Sequence, residues 1–156
     1  MAIIDHLFLL PQQFGQIYIP SAVATELKVN EDLPGSHALK TAINEEWLIP
    51  QTVKNTALVN LLQRDLHQGE AEAIALAVEC SANKILLDEK EARQIARALG
   101  LSITGILGIV LKGWHEGSVS SLKAVTKRLQ QEANFRIAPP LLAQILRESG
   151  ELEESP

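Results

Sequence analysis

The feature that most constrains this chain is a series of short apolar runs that alternate with segments of helical periodicity. Each run holds three or four residues, is rich in Ile, Leu or other strand-favouring side chains, and is bounded by turn-forming or polar residues. The runs predict strands at residues 16–19, 47–50, 84–87 and 102–104. Short buried strands alternating with helices are typical of a parallel sheet covered by helices on both faces. The expected fold class is therefore a three-layer α/β fold with a short parallel sheet.

Helical periodicity fills the intervals between these strands. Ile3 to Phe14 has apolar residues at the spacing of one amphipathic helix, which should end between Pro11 and Gly15. Further helices are predicted at residues 21–28, 38–46, 57–66, 69–80, 89–99, 106–114, 122–132 and 139–148. Because the sequence has no internal repeat and no linker, we expect one domain at 1–150. Residues 151–156 are predicted to be a disordered tail.

Length and composition agree with a single globular domain. A chain of 156 residues can bury a sizeable core. The one cysteine, Cys80, excludes an internal disulfide and fits a reducing compartment. The longest apolar stretch, Ile103 to Leu111, is much shorter than the roughly 20 residues that a membrane helix needs. We therefore expect a cytoplasmic protein with no membrane partner.

The charge is distributed unevenly along the chain. The net charge of −5 argues against a nucleic-acid partner. However, residues 1–83 carry 10 acidic and 4 basic side chains, whereas residues 84–147 carry 10 basic and 5 acidic ones. Such a division would allow cations to bind on one side and phosphates on the other. Ordinary solvated helix surfaces explain it equally well, and both interpretations stay open.

Asp88 is the first candidate site residue because it follows the predicted strand 84–87 directly. Ligands in parallel sheets bind outside the carboxyl ends of the strands. A structural alternative is strong, since Asp88 and Glu91 also fit the N-cap and N3 positions of a capping box. The two roles are compatible, because one carboxylate oxygen can cap a helix while the other binds a cation.

Two further carboxylates are weaker candidates. Glu70 lies in the first turn of the helix predicted at 69–80, where an acid is also common for the helix dipole alone. Glu26 lies in the helix at 21–28, where a solvated surface role is the ordinary alternative. The sequence lacks zinc-ligand spacing, a phosphate-binding glycine loop and a nucleophile elbow. Dispersed carboxylates suit Mg²⁺ or Mn²⁺, ions that assist phosphodiester hydrolysis.

Three segments carry a resemblance to a known family. They are residues 66–77 (LHQGEAEAIALA), 85–96 (ILLDEKEARQIA) and 104–108 (TGILG). In this order and spacing they resemble the PIN-domain superfamily, in a prokaryotic toxin-like branch related to VapC-type ribonucleases. Residues 17–27 and 135–150 match the same branch, so the resemblance covers nearly the whole chain.

The resemblance implies a PIN-like, Rossmann-like fold, a Mg²⁺ or Mn²⁺ site and single-stranded RNA as the substrate. It also implies dimerisation and neutralisation by a small antitoxin protein. Glu70, Asp88 and Glu26 match the family's catalytic acids, and Glu89 stands where many members carry a second aspartate. The expected metal ligands are therefore Glu70, Asp88 and Glu89. The residues expected to contact RNA carry cationic or hydroxyl groups in the later part of the chain: Arg93, Arg97, Thr104 and Lys112.

One departure from the family concerns its first strand, which ends in an aspartate. Residues 1–5 look like that strand, but only 11 residues separate Asp5 from Ile17. About 20 are expected for a turn, a helix and a loop. The resemblance instead places Ile4 to Leu7 on the first helix, so the N-terminal strand is predicted to be missing. A missing central strand would leave neighbouring edges unpaired, to be filled by the N-terminal residues or by another chain. We therefore expect a homo-oligomer.

Two functions remain open at this point. The first is a metal-dependent ribonuclease of toxin–antitoxin type, whose activity is impaired by the missing acid. The second is a non-catalytic, degenerate PIN-like module that acts in protein–protein interaction. Convergence of Glu26, Glu70 and Asp88 on one cleft would favour the first.

Overall fold

The structure, a computed structural model, describes residues 1–28 and 30–152. The four predicted strand regions all form strands: β1 (Ile17–Pro20), β2 (Leu48–Gln51), β3 (Ile85–Leu86) and β4 (Ile103–Thr104). β1 pairs with β2 and β3 pairs with β4, in both cases in parallel. These pairs form two separate two-stranded sheets. The predicted mixed α/β class with short parallel sheets is confirmed.

Helices connect and cover the strands. In the part of the chain that the structure describes they are α1 (Leu9–Phe14), α2 (Ser21–Glu26), α3 (Ser36–Asn44), α4 (Thr56–Leu62), α5 (Gln68–Glu79), α6 (Lys90–Ala98), α7 (Ile106–His115), α8 (Leu122–Gln131) and α9 (Pro139–Glu148). From α3 onwards their bounds lie within a few residues of the predicted ones. None of the described helices is long and apolar enough to cross a membrane.

The N-terminal segment differs from its prediction. The single helix expected from Ile3 to Phe14 is wrong, because a 3-10 helix at Ala2–Ile4 is separated from α1 by Asp5. Asp5 has a left-handed backbone with φ 57°, which a right-handed helix cannot contain. Arg128 of α8 holds this turn by donating to the Ile4 carbonyl at 2.8 Å and to Asp5 Oδ2 at 3.0 Å. Among the described residues, therefore, no N-terminal strand pairs with β1 or β3.

The buried apolar residues form two clusters. The first joins β1 and β2 to α1, α7, α8 and α9, and it contains Ile19 and Leu48. The second joins α4, α5 and α6 to β3, and it contains Ile85 and Leu87. Each two-stranded sheet therefore contributes to its own apolar cluster, β1 and β2 to the first and β3 to the second.

Helix α5 connects the parts of the molecule that position the site. It packs against α2, α4, α6, β1 and β3. Glu72 of α5 accepts a hydrogen bond from the Ala22 N–H at 3.1 Å, which fixes the start of α2. Glu79, at the other end of α5, accepts from the N–H groups of Lys54 and Asn55 before α4. Charge-assisted bonds of this kind are stronger than neutral ones, so α5 holds its neighbours at both ends.

The last described residues bind back to the domain. Glu151 Oε2 accepts a hydrogen bond from the Lys123 N–H at 2.7 Å, near the start of α8. Most of the predicted disordered tail, residues 153–156, lies outside the described residues.

Candidate functional site

A cleft of about 540 Å³ lies where β3 ends and α5 begins, and α2, which follows β1, borders it. Four carboxylates from three parts of the chain line it: Glu26 of α2, Glu70 of α5, and Asp88 and Glu89 after β3. The other lining residues are Val23, His67, Gln68, Gly69, Ala73, Leu86 and Leu87. The parallel sheet thus brings acids that are far apart in sequence to one edge, where ligands bind in such folds.

Glu70 and Glu26 meet at the N-terminus of α5. Glu70 is at the N3 position, and its Oε2 accepts a hydrogen bond from the His67 N–H at 3.2 Å. Gly69 is buried, and a Cβ there would lie 3.3 Å from both Glu26 Oε2 and Val23 Cγ2. The missing side chain therefore lets α2 approach α5 closely. The positive end of the α5 dipole favours both carboxylates there.

Asp88 binds the start of α7. Its Oδ1 accepts a hydrogen bond from the Ile106 N–H at 3.0 Å. The alternative in which Asp88 caps the following helix is wrong, because Glu89 occupies the N-cap position of α6 and no side chain caps that helix. Since α7 begins directly after β4, this bond joins the ends of β3 and β4. It uses only one of the two carboxylate oxygens.

The surroundings of Asp88 raise its pKa above the usual aspartate value. The main cause is burial: the side chain reaches solvent, but the surrounding protein removes much of the carboxylate's hydration. The neighbouring Glu89 carboxylate acts in the same direction. The Ile106 N–H, the Arg93 guanidinium and the Met1 amino group oppose the rise in pKa. Asp88 is therefore a carboxylate held in an environment that disfavours its charge, as is common at functional sites.

Gly105 and Arg93 complete the surroundings of Asp88. A Cβ at Gly105 would lie 2.6 Å from Asp88 Oδ1 and 2.9 Å from Arg93 Nη1, so only glycine leaves room for both groups. Arg93 Nη1 donates to the Leu87 carbonyl at 3.2 Å, which keeps its guanidinium at the end of β3. Sequence reasoning did not single out Gly105. Its position between a strand and a helix, at the carboxyl edge of the sheet, was the available signal.

The described residues that line the cleft include none of the four expected to contact RNA: Arg93, Arg97, Thr104 and Lys112. Arg97 is in the last turn of α6, and Lys112 of α7 pairs with Glu116 at 3.7 Å. Thr104 lies in β4, where its Oγ1 would be 3.1 Å from a Cβ at Gly108. Of the residues expected to contact RNA, only Arg93 adjoins the acids. RNA contacts by the other three stay predictions.

The carboxylates suit a hard divalent cation in their chemistry. Among the described residues, no three His, Cys, Asp or Glu side chains converge closely enough to form a ready-made metal site. Mg²⁺ does not require one, because it usually keeps several waters and binds one or two carboxylates together with substrate phosphates. Glu70 and Asp88 each commit one oxygen to a backbone N–H, which fixes the carboxylate without occupying its second oxygen.

The structure thus defines an α/β domain in which carboxylates from two helices and from the end of β3 line one cleft. A family model described as a PIN domain matches residues 1–151, so this chain belongs to the PIN-domain family. Its members are usually nucleases and generally depend on divalent metal ions. Neither the comparison with curated proteins nor the comparison with solved structures gave a match.

Proposed function

We propose that this protein is a metal-dependent endoribonuclease that cuts single-stranded RNA. The observation that carries the proposal is the shared cleft of Glu26, Glu70, Asp88 and Glu89. The Glu89 carboxylate raises the pKa of its neighbour Asp88, and a bound cation would relieve the repulsion between the two. Glu70 and Asp88 each hold a helix start with one oxygen, and the second oxygen of each supports the proposal of a cation site.

Glu70 and Asp88 are the residues that would hold Mg²⁺ or Mn²⁺, with Glu89 beside them. Both carboxylates are oriented by backbone hydrogen bonds, which limits the side-chain entropy lost when a cation binds. When bound, a divalent ion lowers the pKa of water and neutralises charge that develops on a phosphodiester.

The remaining side chains act on the water and on the RNA. Glu26 is exposed in the cleft, where its carboxylate accepts a proton from the attacking water. Arg93 of α6, whose guanidinium lies at the end of β3, donates guanidinium N–H groups to a phosphate oxygen. Thr104, Arg97 and Lys112 extend this contact to flanking nucleotides. Cationic side chains are needed because the RNA backbone is negatively charged.

A Glu70→Gln variant tests the metal site. The amide that replaces the carboxylate retains an oxygen that accepts from the His67 N–H, so the variant removes the charge and keeps the fold. We expect Mn²⁺ binding, followed by paramagnetic resonance, to weaken at least about tenfold, and Mg²⁺-dependent cleavage of single-stranded RNA to fall with it. Glu31→Gln, which changes an exposed carboxylate paired with Lys28, is the matched control and should behave like the wild type. Equal Mn²⁺ affinity in all three proteins would contradict the proposal.

A non-catalytic PIN-like module for protein–protein interaction is the second candidate. The observation that favours it is that no three metal-ligating side chains converge among the described residues. The same assay separates the two functions. If the wild-type protein binds no Mn²⁺ and leaves single-stranded RNA intact, the interaction module is the better assignment.

We further propose that the protein is the toxin of a toxin–antitoxin pair in the cytoplasm and forms a homo-oligomer. Membership of the family supports the first part. The second part is supported by the strand edges of β1 and β3, each of which pairs with only one strand in the described chain. We expect induced expression to arrest bacterial growth, and light scattering to give at least twice the chain mass of 17.1 kDa. Normal growth would contradict the toxin role, and a monomeric mass would contradict the oligomer.

A further inference from the structure

Gln68 is a cleft residue whose side-chain amide is held in one orientation. It is the first residue of α5, and it is exposed and lines the cleft. Its Nε2 donates a hydrogen bond to Glu72 Oε1 at 3.0 Å, one turn further along the helix. A carboxylate oxygen only accepts hydrogen bonds. The amide therefore keeps its nitrogen on the side of Glu72 and its oxygen on the opposite side.

The Glu72 carboxylate that holds this amide is itself fixed. Its second oxygen, Oε2, accepts a hydrogen bond from the Ala22 N–H at 3.1 Å, at the start of α2. Glu72 is half-buried. A carboxylate that binds a donor at each oxygen has little freedom to rotate, and linked hydrogen bonds of this kind strengthen one another. The orientation of Gln68 is therefore set by its connection through Glu72 to the backbone of α2.

The Oε1 atom of Gln68 is the part of this amide that a ligand can use. Within residues 1–28 and 30–152, no protein donor binds this oxygen. Glu72 is not among the described residues that line the cleft, so the amide nitrogen is turned towards a residue outside it. Gln68 directly precedes Gly69 and Glu70, at the point where α2 approaches α5. A hydrogen-bond acceptor of fixed direction thus lies beside the carboxylates.

Other side chains of the cleft suit a nucleobase. Leu86 lines the cleft and is 40% exposed, although Ile85 and Leu87 on either side of it are buried. His67, the residue before Gln68, lines the cleft and is also exposed. Unpaired RNA bases stack on aromatic rings, including that of histidine, while polar side chains bind their edges. The cleft volume of about 540 Å³ lies within the range of roughly 300–1,000 Å³ for small-ligand sites.

A fixed acceptor distinguishes bases by the donors that they carry. Cytosine and adenine each have an exocyclic amino group that donates hydrogen bonds. Uracil has a carbonyl oxygen where cytosine has its amino group, and its ring N–H lies between two carbonyl oxygens. An amide that turned freely would donate its own N–H groups to uracil. An amide held with its oxygen outwards cannot do so, and its oxygen repels the uracil carbonyls.

We propose that His67, Gln68 and Leu86 form a base subsite beside the carboxylates, and that this subsite prefers cytosine or adenine to uracil. Glu72 is the positioning residue of the subsite, because it orients Gln68. The inference rests on the proposed ribonuclease function, since the cleft has to receive single-stranded RNA. Phosphate contacts carry no information about sequence, so a base contact of this kind would give the cleft its preference.

Two RNA hexanucleotides that differ only in their bases test the preference. Hexacytidylate and hexauridylate are cleaved by the full chain with Mg²⁺. Their binding is measured by fluorescence anisotropy with Ca²⁺, which also takes oxygen ligands. We expect hexacytidylate to be preferred about fivefold to tenfold in kcat/KM and in affinity. Gln68→Ala should bring both ratios close to one. Gln130→Ala, at an exposed glutamine of α8 that does not line the cleft, is the matched control and should keep them.

Glu72→Gln tests the orientation of the amide while Gln68 stays in place. The new side chain keeps one oxygen to accept from the Ala22 N–H, and it presents an amino group to Gln68. That amino group donates to Gln68 Oε1, so the amide of Gln68 turns over and offers its nitrogen to the base. We expect the ratio of hexacytidylate to hexauridylate to fall to about one or below. Each ratio is measured within one variant, so a change in the folded fraction cancels.

The outcomes separate the base subsite from the ribonuclease function. If the wild type cleaves both RNAs equally well, the subsite is overturned and the ribonuclease proposal stands. If hexacytidylate binds more tightly but neither RNA is cleaved, the subsite is supported and the ribonuclease proposal falls. A preference that survives in Gln68→Ala or in Glu72→Gln overturns the role of the residue changed. Absence of both binding and cleavage overturns the subsite as well.

Discussion

Asp88→Asn should lower metal-dependent RNA cleavage at least about hundredfold and leave the protein as stable as the wild type or more stable. The activity loss follows if Asp88 is the metal ligand that we propose, since the loss of residues behind a ligand already costs roughly 10- to 100-fold. Stability is retained because the asparagine Oδ1 still accepts the hydrogen bond from the Ile106 N–H. This pair of results would identify Asp88 as a residue whose charge is unfavourable for folding but needed for activity.

The raised pKa of Asp88 determines how the stabilities of the wild type and of Asp88→Asn should differ as pH changes. Because burial raises the pKa of Asp88, the folded protein binds this proton more tightly than the unfolded chain does. The wild type therefore loses stability as pH rises from the ordinary aspartate range through the raised pKa, and the loss is complete above it. Asp88→Asn has no such proton. The free energy of unfolding of the variant, relative to that of the wild type, should therefore increase as pH rises through this range.

Urea unfolding measures this difference when it is done both at a pH below the ordinary pKa of aspartate and at neutral pH. An RNA cleavage assay measures the activity. Glu91→Gln is the matched control, because Glu91 is an exposed carboxylate in the first turn of the neighbouring helix α6 and does not line the cleft. It should retain activity. Full cleavage by Asp88→Asn would exclude Asp88 as a metal ligand.

The second large effect is expected at Gly105. Gly105→Ala should lower RNA cleavage about 10- to 100-fold, because the new Cβ would lie 2.6 Å from Asp88 Oδ1 and 2.9 Å from Arg93 Nη1. Both groups have to move, and displacements near 1 Å at a reacting centre can cost about that much activity. Alanine accepts the backbone of Gly105, with φ −127° and ψ 174°.

Stability should change far less than activity in this variant. The atoms that must move are the ends of two side chains, and replacing glycine also lowers the entropy of the unfolded chain. We expect the free energy of unfolding to stay within about 1 kcal/mol of the wild type. His115→Ala, at an exposed position in the last turn of α7 that does not line the cleft, is the control and should cleave RNA normally. Loss of activity in both variants would point to α7 itself rather than to Asp88 and Arg93.

Local sequence patterns were sufficient for most of the fold. The apolar runs near Ile17, Leu48, Ile85 and Ile103 all became strands, because short apolar segments between turn signals have few other stable outcomes. The prediction of the first helix was wrong, because the apolar spacing from Ile3 onwards does not reveal the left-handed backbone conformation of Asp5. That conformation depends on Arg128, which is more than 120 residues away in the sequence.

The structure brings the predicted acids to one cleft, while their catalytic and metal-binding roles stay predictions, and the groups around them were not predicted. Acids that end or follow strands can be located from the order of elements alone, and Glu26, Glu70 and Asp88 do line one cleft. The role of Asp88 as an acceptor for α7 instead of α6 requires the contact between the ends of β3 and β4, which no local pattern contains. The same holds for Gly105, whose importance lies in what its missing side chain would touch.

The proline in β2 has a consequence for self-assembly in concentrated solution. Extended chains that stack edge to edge grow into fibrils when each added layer exposes a fresh row of donors. Here a layer cannot continue past Pro50, because the outward side of β2 lacks that donor. Growth of such a stack through β2 therefore ends at this residue.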